Sequence, residues 1–310
     1  MKSAGRFNTI KLIFLFFSFC ALFMSCGLDT IILIDPPTIR DNSPTYSTEE
    51  YAILYIDFQT NESSANMNIE GGAFLGTDVF YKIFNNYKDA TSYQSAIENL
   101  NTTSNGDAAA ARMIDTYKYQ PLLKKVRRAD GTVLQVSDSV FVPQKNSSRK
   151  IYFRPLTYAS SDSIDLRSSI AIPHGYNSTY GGEVYSYMGY DSTKGAVTYN
   201  WVKATNEWYD TNGTSLNYAD LIFFEPYRNL SGKNRSFDFF DQNDTNYDEN
   251  VEPVDGDEDY KHNETWSDEN KATYYVHFYA VGVANDTTSC TLSYSLVLDL
   301  GIIPIRKNSN

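Results

Sequence analysis

Carboxylates, three histidines and three cysteines are the side chains of this 310-residue chain that could do chemistry. His174, His262 and His277 stand far apart, and none has a partner at the His-x-x-x-His spacing that places two zinc ligands on one helix face. The chain has no Gly-x-Ser-x-Gly elbow to expose a nucleophilic serine. Gly71-Gly72 and Gly181-Gly182 read as turns rather than phosphate-cradling loops. Histidine- or cysteine-based catalysis is therefore not expected. Carboxylates are different, because a glycoside hydrolase needs only two at a suitable separation, and separation is a property of the fold. With 38 Asp and Glu residues, a carboxylate-based glycan hydrolase remains an alternative.

The densest acidic stretch lies between 241 and 259. Asp241, Asp244, Asn246, Asp248, Asp255 and Asp257 supply the hard oxygen donors that calcium prefers. Yet Glu249 stands where an EF-hand loop needs glycine, and Asp255 where it needs its bidentate glutamate. The favoured expectation is a solvated, mobile loop over 241–271, with weak calcium binding as the alternative. A second concentration is aromatic. Tyr185, Tyr187, Tyr190, Trp201, Trp208 and Tyr209, with Tyr199 among them, are interleaved with Asn, Asp and Gly. Rings beside polar groups suit sugar or protein recognition, whereas rings at period two suit a packed core.

The first thirty residues carry an address. Lys2, Arg6 and Lys11 form a positive start, and Leu12 to Met24 forms an apolar run too short to span a bilayer comfortably. The run ends in Leu22, Phe23, Met24 and Ser25 before Cys26. A small residue before such a cysteine is what lipoprotein signal peptidase reads. Residues 1–25 are expected to be the leader, and Cys26 to carry diacylglycerol and an acyl chain. Losing three basic side chains would take the formal charge from −12 to −15. That charge repels nucleic acid and anionic head groups, so the acyl chains alone must hold the membrane. Only Cys290 would then be left in the body, and no internal disulfide could form. No other cofactor is expected.

Residues 26–48, with Pro36, Pro37 and Pro44, read as a tether to a body over 49–301. Strands are expected at Tyr51 to Phe58 and Phe74 to Phe84. Helical stripes follow at Tyr93, Ala96, Ile97, Leu100 and at Ala110, Met113, Ile114, Tyr117, with Asp89, Thr91 or Ser92 capping the first and Asp107 preceding the second. Both stripes read as packing faces. Lys124 to Arg128, before Asp130-Gly131, suggests a hairpin with a solvated basic arm. Short strands fill 132–240. The closing hairpin joins Thr273 to Val283 with Leu292 to Leu300. Its alternation sets Tyr274, Val276, Phe278 and Ala280 against an outward row of Tyr275, His277 and Tyr279. Residues 302–310 read as a tail.

Tyr274-x-Val276-x-Phe278-x-Ala280 resembles the F strand of a fibronectin type III domain. Leu54, Ile56 and Phe58 resemble its B strand, Gly76-Thr-Asp-Val79-Phe-Tyr81 its C strand, and Ser293-Tyr-Ser295 the start of its last strand. The resemblance covers about 36–87 and 272–301. It implies an immunoglobulin-like sandwich in which Tyr274 bonds backbone upstream as a tyrosine corner. Residues 88–271 would form a large insertion with two short helices and further β-hairpins, or a second β-rich subdomain. The loose lipobox, the early Asp35-Pro-Pro37 and the closing strand are also similar to hypothetical lipoproteins of treponemes, a resemblance that implies location rather than activity. The expected protein is mostly β and tethered to the cell envelope, at the outer membrane or cell surface. Its expected role is non-enzymatic binding of an extracellular protein or glycan. A structural or assembly role in the envelope is the alternative.

Overall fold

The computed structural model describes residues 32–39, 55–128, 133–137, 148–152, 169–202, 204–231, 235, 237, 239, 252–264, 273–287 and 289–306. In chain order the strands are β1 (Thr38–Ile39), β2 (Tyr55–Gln59), β3 (Gly72–Phe84), β4 (Gln120–Pro121), β5 (Leu123–Arg128), β6 (Val133–Ser137), β7 (Ser148–Tyr152), β8 (Ser169–Asn177) and β9 (Gly182–Asp191). They continue as β10 (Gly195–Val202), β11 (Glu207–Tyr209), β12 (Ser215–Leu216), β13 (Ile222–Tyr227), β14 (Tyr260–Lys261), β15 (Thr273–Asp286), β16 (Leu292–Tyr294) and β17 (Leu298–Arg306). The helices are α1 (Ser64–Met67), α2 (Tyr87–Glu98) and α3 (Ala108–Ala111), the last running on as a π-turn over Arg112–Thr116. The chain is mostly β, as its alternation predicts.

Two antiparallel arrays carry the fold, with one short parallel pair, β14 on β3. In the smaller array β15 lies between β3 and β17, with β16 beside its far end. The two terminal stretches of sequence thus meet, and β17 runs on to Arg306, into the stretch expected as a tail. The larger array runs from β1 and β2 through β7, β8, β9 and β10 to β12, with β13, β5 and β6 joined at β9.

Period two explains how one sheet serves two cores. Val79, Tyr81, Ile83, Val276, Phe278 and Ala280 point toward Ile56, Phe58, Ile151 and Phe224 of the larger array. The alternate residues Phe80, Phe84, Tyr279, Val281 and Val283 pack beneath Ala90, Ile97, Ala109, Ala110 and Met113 of the helices. Both helical stripes are therefore packing faces. The first helix begins earlier than its apolar stripe, because Asn86, not Asp89, Thr91 or Ser92, accepts the Lys88 N–H as N-cap.

The covered second face corrects the expectation for His277. It lies on the row opposite the first core, but that row faces helices rather than solvent, and His277 is fully buried. The Tyr274 hydroxyl donates to the Glu252 carboxylate at 3.3 Å.

The basic arm is also corrected. β5 and β6 form the expected hairpin, but Lys125 and Arg127 are buried beside β13. Glu225 stands opposite Lys125, and its carboxylate lies 3.4 Å from the Arg127 guanidinium. The Lys125 ammonium sits 4.0 Å from the centre of the Tyr227 ring. Burial pushes its pKa down to about 8, with Glu225 opposing.

Candidate functional site

Two turns at one end of the larger array frame a cleft of about 520 Å3, within the range of roughly 300–1,000 Å3 common to small-molecule sites. The first joins β9 to β10. There Asp191 Oδ1 accepts the Thr193 and Lys194 N–H groups at 2.8 and 2.9 Å, and Gly195 supplies the positive φ that closes the turn. The second joins β11 to β12. Asp210 Oδ1 accepts the Asn212 and Thr214 N–H groups, each at 2.8 Å, and Gly213 takes the positive φ. The sequence Asp-x-x-x-Gly in one turn and Asp-x-x-Gly in the other builds both from the same device, an aspartate bonding the backbone two residues on.

Met188, Val197, Tyr199 and Leu216 supply the apolar lining, and Thr198, Thr211 and Asn212 add polar groups beside the two carboxylates. Lys194 acts electrostatically on both Asp191 and Asp210. The N–H bonds from Thr193 and Lys194 hold the Asp191 carboxyl below its usual range. At Asp210 the Thr214 N–H bond, helped by that from Asn212, outweighs desolvation and holds the carboxyl down. Both groups are charged at neutral pH. Neither aspartate has the raised pKa of a general acid.

Register decides which aromatic residues reach the cleft. Tyr185 faces Trp201 and Tyr187 faces Tyr199 across β9 and β10, while Trp208 faces Trp201 across β11. These rings share the face away from the first core and pack with Phe223 and Leu221. Tyr187, Trp201 and Trp208 are buried there, so packing rather than ligand contact accounts for them. Tyr190 packs on the opposite face against Phe224, and Tyr209 lies beside Tyr180 with its hydroxyl bonded to Glu207. Tyr185 is half-buried on Trp201. Of the aromatic stretch, Tyr199 borders the cleft, but it too is core, 8% exposed and packed edge-on against Phe223.

Gly189 makes room for that ring. A Cβ there would stand 2.1 Å from Tyr199 Cε2 and 2.8 Å from the Ile222 carbonyl oxygen. The Tyr199 hydroxyl also donates to the Tyr190 carbonyl at 3.0 Å. Gly189→Ala is expected to displace Tyr199 and lower stability by about 1–3 kcal/mol, the cost of overpacking. Urea unfolding checks this; an unchanged midpoint would mean that the sheet yields without strain.

Other buried polar clusters have structural roles. His277 Nε2 lies 3.1 Å from Asp299 Oδ1, and its Nδ1 lies 2.8 Å from the Tyr119 hydroxyl. A β-bulge between Phe278 and Tyr279, opposite Gly301, turns Asp299 onto the His277 face. Burial would raise the Asp299 pKa, but its bonds from His277, Gln94 and Gly301 outweigh that and lower it to about 2. The triad has the geometry of a general base. Its base is fully buried and Tyr119 is 2% exposed beneath the helices, so it offers a substrate no approach.

The acidic stretch is corrected where it is described. Asp257 Oδ2 bonds the Arg228 Nη2 group at 2.8 Å, and Asp259 accepts Arg228 Nη2 and Nε at 2.7 and 2.8 Å. Both carboxylates are buried rather than solvated, and Asp257 is committed to an arginine rather than open to calcium. Asp255 is exposed, and no group of metal-ligating side chains occurs among the described residues. Asp241, Asp244, Asn246 and Asp248 lie outside the described residues, as do Leu22, Phe23, Met24, Ser25 and Cys26. Among the described residues no helix is long and apolar enough to cross a membrane. No family model, curated protein or solved structure matches the chain.

Proposed function

We propose that this chain is an exported, lipid-anchored binding protein that holds an extracellular protein or glycan without turning it over. The observation that carries the reading is the cleft between the two Asp turns, whose carboxylates are both held in the charged form. The leader and Cys26 supply the anchor, and the outer membrane or cell surface is the place where such a cleft meets its ligand. A fibronectin-like origin for the scaffold is supported by the order β3–β15–β17, with β2 facing it across the first core.

Metabolic acyl labelling together with protease shaving of intact cells tests this. The wild-type chain is expected to take up label and to be digested while a periplasmic lipoprotein control survives; Cys26→Ala is expected to lose the label. Protection until the outer membrane is permeabilised would overturn surface binding and favour an envelope assembly role. Absence of label on the wild type would overturn the anchor.

A further inference from the structure

We infer that the cleft between the 191–195 and 210–214 turns is a carbohydrate site that takes neutral oligosaccharides. This rests on the binding reading above and narrows it to one ligand class.

Three features point there together. The first is an apolar surface beside polar groups. A sugar ring presents C–H bonds on one face and hydroxyls around its edge, so it needs both. Val197 and Leu216, half-buried on one face of the sheet, supply the first, and the turns supply the second. Behind them the buried Tyr199 ring is set in place from two sides, over Gly189 and by its bond to the Tyr190 carbonyl. That backing fixes the wall before a ligand arrives, which limits the entropy lost on binding.

The second feature is unused hydrogen-bonding capacity. Among the described residues, the side chains of Thr198, Thr211 and Asn212 make no bond to protein, and neither does the second carboxylate oxygen of Asp191. Hydroxyls both donate and accept, so one polyol can serve a carboxylate, an amide and a threonine at once. The Asp191 and Asp210 side chains are held by their own turn N–H bonds, which fixes the acceptors in direction.

Charge is the third. Two carboxylates and one ammonium line the cleft, leaving a net negative site on a chain of formal charge −12. Sialylated or sulfated glycans would be repelled, and a neutral sugar would not.

The test applies the purified wild-type chain to an array of neutral, amino and acidic oligosaccharides, beside Asn212→Ala and Thr198→Val. The two substitutions remove side-chain groups with no protein partner among the described residues, and unchanged urea midpoints would verify that both variants fold. Neutral glycans are expected to be retained, with each variant weakened about fivefold to tenfold, the effect of one lost hydrogen bond. Equal retention by wild type and both variants would overturn this cleft as the site while leaving the binding reading intact. Retention of acidic glycans alone would overturn the ligand class. If no glycan is held but immobilised extracellular-matrix proteins are, the carbohydrate inference fails and the binding reading survives. If neither is held, both fail.

Discussion

Arg228→Ala is expected to destabilise the fold by about 3–5 kcal/mol, because it strands two buried carboxylates. Arg228 is fully buried and bridges Asp257 and Asp259, while Asp259 Oδ2 also accepts the Tyr81 hydroxyl at 2.7 Å. Burial alone would lower the Arg228 pKa, but the bonds and charge of Asp259 reverse that and hold it above its ordinary value. The Asp259 carbonyl accepts the Ile83 N–H at 2.8 Å, and β14 continues that contact in parallel with β3. Arginine removal should therefore release 252–264 before the two sheets part. Urea midpoints give the size of the loss, and hydrogen exchange at Ile83 and Tyr260 shows where it begins. Arg228→Met with Asp257→Asn and Asp259→Asn should recover much of the stability, since no unpaired charge is left. A single variant as stable as wild type would mean that the carboxylates regain solvent, and the clamp would not be what holds this segment.

That clamp shows where sequence reading stops. Alternation made β3 and β15 legible, and spacing made the two helical stripes legible, because these signals lie within one element. Alternation identifies two faces but not what covers the second, which is why His277 looks outward in sequence and lies beneath α2 in the fold. Runs of charge mislead for a related reason. Lys125, Arg127, Asp257 and Asp259 read as solvated, yet each has its partner on or just after β13, at Glu225 or Arg228. Arg127 and Glu225 are 98 positions apart, so no local window contains the pair. The candidate site was half legible. The aromatic stretch pointed to β9 through β11, and register then removed most of its rings from contact. Asp191 and Asp210 carried a signal that could have found them, since Asp before Gly at turn spacing marks a side-chain-capped turn. What sequence withheld was that two such turns end side by side over Tyr199.

Asp78→Asn is expected to stabilise the protein at neutral pH by up to about 4 kcal/mol and to flatten its pH dependence. Asp78 is 4% exposed on β3, and burial pushes its pKa from 3.8 to about 7. The Val79 N–H, which donates to its carboxylate at 2.9 Å, and the charge of Lys124 offset only part of that. The folded chain binds the Asp78 proton more tightly than the unfolded chain does. Its contribution is therefore fully present below pH 3.8 and is lost as pH rises through about 7. Asparagine keeps the shape and carries no charge, so the variant should match wild type near pH 4 and exceed it increasingly toward pH 8. Lys82 and Lys125 do not confuse the comparison. Both are pushed down to about 8 by burial, so the unfolded chain binds their protons more tightly and their effect on stability is a rise with pH above that value. Urea midpoints at about pH 4.5, 6 and 7.5 for both proteins measure the difference. Parallel curves across that range would mean that Asp78 reaches solvent when charged, and the buried acid would then contribute nothing to the pH response of the fold.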